Sequence, residues 1–160
     1  MQNNKIFEYA LYNAWHFPIT CIAVFDGEHG TVTFGDYQEE NFGLYHPDHS
    51  ADQSIDISHE ALASIKTLLS ASGLRKIKEL ETPAVLDGYI QEFYLNNGKS
   101  AQTIHGTNLD YCIGDPESFP KAAKVIEFLD KLADILVSEG VDEKYFLFSP
   151  EDEYTSDEDE

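Results

Sequence analysis

The chain has 160 residues, with 30 Asp or Glu against 10 Lys or Arg, giving a formal net charge of −20 and a pI near 4.4. At 42% hydrophobic and 12% aromatic it can bury a core within one domain, which excludes a chain disordered throughout. The charge argues against nucleic acid and membrane surfaces as partners, because both are held by clustered Lys and Arg.

The N-terminus, Met1 to Glu8, has one base, an early acid and no long apolar run, so it reads as neither a secretory signal nor a membrane anchor. Half of the aromatic residues fall in the first 45 positions. Strands are expected at about 5–12, 18–25 and 31–37, broken at Asn13–Pro18 and at the turn formers Asp26-Gly27-Glu28-His29-Gly30. The middle segment is almost continuously apolar, as in a strand covered on both faces. It contains Cys21, which reads as a buried free thiol. With only Cys112 to pair with, no disulfide framework emerges, and a cytoplasmic protein is expected. Residues 38–57 read as polar loop.

Ser58 is the expected N-cap of a helix, with Ala61 where a capping-box Glu would stand. Ala61, Leu62, Ile65, Leu68 and Leu69 follow at helical spacing, and Gly73 ends the run. After the basic stretch Arg75-Lys76-Ile77-Lys78, Asn96-Asn97-Gly98-Lys99 predicts a hairpin between 89–95 and 100–105. A two-residue turn there sets Leu95 opposite Ser100, Phe93 opposite Gln102 and Glu92 opposite Thr103. A second helix opens at Asp115-Pro116 or Ser118-Phe119-Pro120. It carries an apolar stripe from Ala122 through Val125, Leu129 and Leu132 to Leu136, and stops at Gly140. Tyr145 to Phe148 reads as a final short strand. Seven of the ten residues 151–160 are acidic, so an acidic disordered tail is expected over 149–160, after a single domain over 1–148. The order β-β-β-α-β-β-α implies an α+β domain, an antiparallel sheet of about five strands with two helices on one face.

Several of these punctuation marks stand together as a pattern: Val85-Leu86-Asp87-Gly88, Asn97-Gly98, Gly106, Phe119-Pro120 and the helix over 120–139. In this the chain resembles a family of small, functionally uncharacterised bacterial α+β proteins. The resemblance implies the fold and carries no activity.

No Gly-x-Ser-x-Gly, phosphate-binding glycine loop or dinucleotide fingerprint occurs, and neither cysteine has an activating base near it in sequence. A non-enzyme without a cofactor is therefore expected. From Ile6 to Ile65 the chain has ten acids and no Lys or Arg. Such one-signed charge serves solubility in many proteins; read functionally, it steers a basic protein partner, as in an inhibitor, an immunity protein or a nucleic-acid mimic. The residues that would make that surface are Trp15, in the aromatic turn Trp15-His16-Phe17-Pro18, with Asp36, Glu39 and Glu40.

The alternative is a metal-binding protein or metal-dependent hydrolase built on His46, His49 and Asp52. Oxygen side chains also alternate from Asp48 through Ser50, Asp52 and Ser54 to Asp56, as in a calcium loop. Gln53 stands where that loop needs Gly, however, and His59 where it needs Glu. Glu92 and His105 are expected diagonally placed on one face of the hairpin, as an exposed pair or as a base with its orienter.

Overall fold

The computed structural model describes residues 4–37, 49–71, 73–83, 88–96 and 100–150. The strands are β1 (Lys5–Tyr12), β2 (Pro18–Asp26), β3 (Gly30–Asp36), β4 (Gln53–Asp56), β5 (Ile90–Asn96) and β6 (Ala101–Thr107). The two helices are α1 (His59–Ala71) and α2 (Pro120–Ser138). All strands join one antiparallel sheet in the order β4-β3-β2-β1-β5-β6. The class is α+β as expected, with six strands where about five were anticipated. The added one is β4, in the stretch read as loop. Its Ile55 alternates with exposed Ser54 and Asp56, so these two of the residues spaced like calcium ligands are instead wet positions of an edge strand, and Asp48 lies outside the described residues.

Strict alternation in β1 sends Phe7, Tyr9 and Leu11 to one face of the sheet, where both helices lie. From α1 come Ala61, Leu62 and Ile65, and from α2 Val125, Phe128, Leu129, Leu132 and Leu136, all buried. Phe7 meets Phe128 with ring centroids 5.6 Å apart, and Tyr9 stacks on Phe93 at 4.8 Å. The Tyr9 hydroxyl donates to the Leu147 carbonyl at 2.7 Å, which satisfies the one polar atom of that ring. The segment expected as a last strand is instead a 3-10 turn over Glu143–Phe146, opened by Asp142, whose side chain accepts from Lys144 N. Tyr145, Phe146 and Phe148 are all buried there. Neighbouring residues that all face the core do not fit the two-sided alternation of a strand, and a tight helical turn accommodates them.

The hairpin forms, in a register other than the one a turn at Asn97-Gly98 sets. Among the described residues the pairs run to Asn96↔Ala101, with Leu95 opposite Gln102, Phe93 opposite Ile104 and Glu92 opposite His105. The register differs from the expected one by two residues, so every side chain keeps its face. What selects it is packing. Fully buried Phe93 meets fully buried Ile104, and Gln102 Nε2 donates to the carbonyls of Leu74 and Ile77 at 3.0 and 2.6 Å.

Both helices borrow part of their N-terminal capping from distant carboxylates. Ser58 Oγ accepts from Ala61 N at 3.0 Å as an N-cap. Glu139, from the end of α2, takes the missing capping-box role, accepting from Ser58 N at 2.8 Å and Ser58 Oγ at 3.1 Å. At α2, Phe119 offers no capping side chain, and Glu81 accepts from Lys121 N and Ala122 N, both at 3.0 Å. Burial works to raise the Glu81 carboxyl, but the Lys121 and Ala122 amides, with its own backbone amide and the Lys121 charge, outweigh it and hold the group below its ordinary value. Glu81→Ala is expected to cost about 1 kcal/mol at neutral pH. Because the folded value is depressed, this contribution is full above the unfolded carboxylate value of about 4.3. It is lost as pH falls through the folded value. Urea unfolding of wild type and variant should thus converge in acid; a gap that widens there would contradict this role.

Candidate functional site

The face of the sheet turned away from the helices carries the chemistry. Ala10 and Tyr12 of β1, Cys21 of β2 and Tyr37 after β3 form a small buried cluster on it. The pairings Ala10↔Cys21 and Ala10↔Glu92 line these residues up across three strands. Glu8, two positions before Ala10, shares the face. Together with Tyr12, His49, Glu92 and Tyr94 it borders an open depression of about 310 Å³.

Glu8, at its border, accepts from Cys21 Sγ on Oε2 at 3.0 Å and from Lys5 Nζ on Oε1 at 2.6 Å. Lys5 also lies 4.9 Å from the centre of the Tyr94 ring. Tyr37 donates its hydroxyl to Asp52 Oδ1 at 2.7 Å, and the second Asp52 oxygen lies 2.8 Å from His49 Nδ1. The space for Asp52 and Tyr37 exists because residue 35 is glycine: a Cβ there would collide with Asp52 Oδ1 and the Tyr37 hydroxyl. One ligand atom each from Glu8, Cys21 and His49 lies within 4.8 Å of the others.

A second titratable group adjoins this one. His16 adopts φ 67° in the β1–β2 turn and stacks on Tyr12 at 4.2 Å. Its Nε2 is 3.3 Å from Glu92 Oε2, and His105 Nδ1 is 3.4 Å from the same oxygen. Glu92 and His105 thus face each other directly, one step from the diagonal placement expected, and His16 joins them.

Burial, reinforced by neighbouring acids, pushes the Tyr12 phenol up, and burial with the Asp52 hydrogen bond does the same for Tyr37. The Cys21 thiol is raised by burial first and then by the charge and hydrogen bond of Glu8. Cys112 is pushed up to about 11, again chiefly by burial. Both thiols stay protonated near neutral pH, a poor starting point for nucleophilic chemistry.

The residues singled out in the sequence do not gather in one place. His49 and Asp52 come together, in contact through Nδ1 and Oδ2, whereas His46, Glu39 and Glu40 lie outside the described residues. Asp36 accepts from Lys144 Nζ at 3.0 Å, and that hydrogen bond is the main cause raising the Lys144 amine. Trp15 is 71% exposed on a turn fixed by Asn13 Oδ1, which accepts from the amides of Trp15 and Phe17. Glu8 and Cys21 were missed as site residues. The alternation in β1 already put Glu8 on the face of Ala10 and Tyr12, but their meeting depends on the β1–β2 register.

The end of the sheet that holds Trp15 gathers several loops. At this end Tyr12 pairs with Pro18 and Ile90, Ile90 with Thr107, Thr20 with Asp36 and Phe34 with Gln53. Among the described residues, four large hydrophobics are exposed. Three of them, Trp15, Tyr111 (57%) and Ile113 (57%), stand on the loops that leave this end. The sequences 37–52 and 108–119 contain acids, and neither they nor 13–17 contain Lys or Arg. Among the described residues, no helix is long and apolar enough to cross a membrane.

Compared with known proteins, the chain matches no family model and no curated protein sequence. The resemblance to small bacterial α+β proteins therefore rests on the turn and cap residues alone.

Proposed function

We propose that the protein is a non-catalytic binding module that takes a basic protein partner on the loop end of its sheet. The observation that carries this reading is the grouping of exposed Trp15, Tyr111 and Ile113 on loops at one end; the 108–119 loop and the 37–52 segment hold acids, and neither they nor 13–17 hold Lys or Arg. Large apolar side chains on the surface cost hydration, and Trp and Tyr supply most of the energy at interfaces when a partner buries them. The surrounding carboxylates then set the sign of the partner and speed its approach. Trp15 is the anchor in this reading; Asp36, already shared with Lys144, contributes less than its charge alone would give. The buried, protonated thiols fit a binding role better than a nucleophilic one.

The test is to recover partners from cell extract on the immobilised full chain, then to measure a purified partner against variants. Binding should weaken at least tenfold between about 50 and about 300 mM salt, as screening shortens the reach of the acids. Trp15→Ala should weaken it about 30-fold, the size of an interface hot spot, while stability stays within about 0.5 kcal/mol because the side chain is exposed. An acidic partner, or equal affinity for wild type and Trp15→Ala, would sink the reading.

A further inference from the structure

We infer that Glu8, Cys21 and His49 form a binding site for one divalent transition-metal ion, zinc by its donor set. A carboxylate oxygen, a sulfur and an imidazole nitrogen converge from β1, β2 and the turn before β4, within 4.8 Å of one another. Zinc binds these donor types at about 2.0–2.3 Å, so small side-chain rotations close the set around an ion. Sulfur with imidazole selects zinc over magnesium or calcium, which prefer oxygen alone.

The surroundings are those of an oriented ligand set. Asp52 holds His49 through Nδ1 at 2.8 Å, and Tyr37 holds Asp52 at 2.7 Å. A proton on Nδ1 bonded to that carboxylate leaves the lone pair on Nε2, the carboxylate–histidine arrangement that orients metal-bound imidazoles. Gly35 keeps the space in which Asp52 and Tyr37 meet. On the other side, Cys21 Sγ and Glu8 Oε2 now share a proton at 3.0 Å. A cation between them takes that proton's place, and the proton passes to solvent as sulfur binds the metal. Glu8 and His49 border the open depression while Cys21 is buried beside them, and three protein ligands leave the fourth position to water from that open side. This departs from a His46/His49 loop site: two of the three donors come from the sheet. It uses none of the apolar anchors Trp15, Tyr111 and Ile113, and Cys21 and Glu8 lie outside the acidic segments 37–52 and 108–119, so Cys21→Ala tests the metal site and Trp15→Ala the partner surface separately.

Titration of the untagged, reduced full chain with Co²⁺ tests the site. One ion per chain should bind, with a thiolate-to-cobalt charge-transfer band, and Zn²⁺ should displace it. Cys21→Ala should abolish the band and Cys112→Ala should leave it intact, which separates the two buried thiols. His49→Ala should weaken binding at least tenfold. Asp52→Asn, which acts through His49, should weaken it about 10- to 100-fold with the band retained. Glu8→Gln keeps the size of the side chain and should also weaken binding, with unfolding curves confirming that each variant is folded. A wild-type chain with no thiolate band at millimolar cobalt, or a band that survives in Cys21→Ala, would overturn the site.

Discussion

Phe93→Ala is expected to lower the folding free energy by about 3–5 kcal/mol, the range for deleting a buried aromatic ring. Phe93 sits in the middle of the sheet, fully buried, stacked on Tyr9 and opposite Ile104. Truncation removes transfer free energy and leaves a cavity that the sheet cannot collapse to fill, because β1 and β6 fix its walls by backbone pairing. Chemical denaturation should show a large drop in midpoint with little change in slope. The exposed control Val137→Ala should move by less than about 0.5 kcal/mol. A Phe93 effect as small as the control's would contradict the core as described.

Gln91→Met should be nearly as damaging although it preserves volume. Gln91 is fully buried, and its Nε2 donates to the Phe148 carbonyl at 2.8 Å while its Oε1 accepts from Leu109 N at 3.3 Å. One side chain thus ties β5 to the C-terminal turn and to the loop after β6. Methionine fills the space and leaves both backbone groups without partners, at about 1–3 kcal/mol for each. Amide exchange reads this directly. The Leu109 amide should lose protection, and residues 143–148 should open more often than in wild type. Unchanged exchange at Leu109 would show that Gln91 is a filler and not a tie.

How far the sequence reached depended on the range of the interactions involved. The helix at 120–138 was legible because an apolar stripe and a proline start are local properties of consecutive residues, and the strands at 5–12 and 18–26 because alternation and apolar runs are local too. The hairpin was legible as a hairpin, but its register follows from Phe93 meeting Ile104 and from Gln102 reaching Leu74 and Ile77, contacts that no turn motif encodes. The alternation of Ser54, Ile55 and Asp56 read as loop, with or without the spacing of calcium ligands, and it is the neighbouring β3, distant along the chain, that makes it an edge strand. The candidate site divides in the same way. The attraction of His49 to Asp52 is a three-residue spacing visible in the chain. Glu8 and Cys21 are thirteen positions apart and meet only because one bulged antiparallel register brings them together.

The borrowed helix caps have a kinetic meaning. Glu81 lies 40 positions from Lys121, and Glu139 lies 81 positions from Ser58. In the unfolded chain neither helix end has these acceptors, and short helices are marginal on their own. Full capping therefore arrives only after long loops have closed, which raises the share of sequence-distant contacts needed before native structure holds. The acids that repel one another in the open chain become, in two places, the latches that make helix formation and assembly a single event.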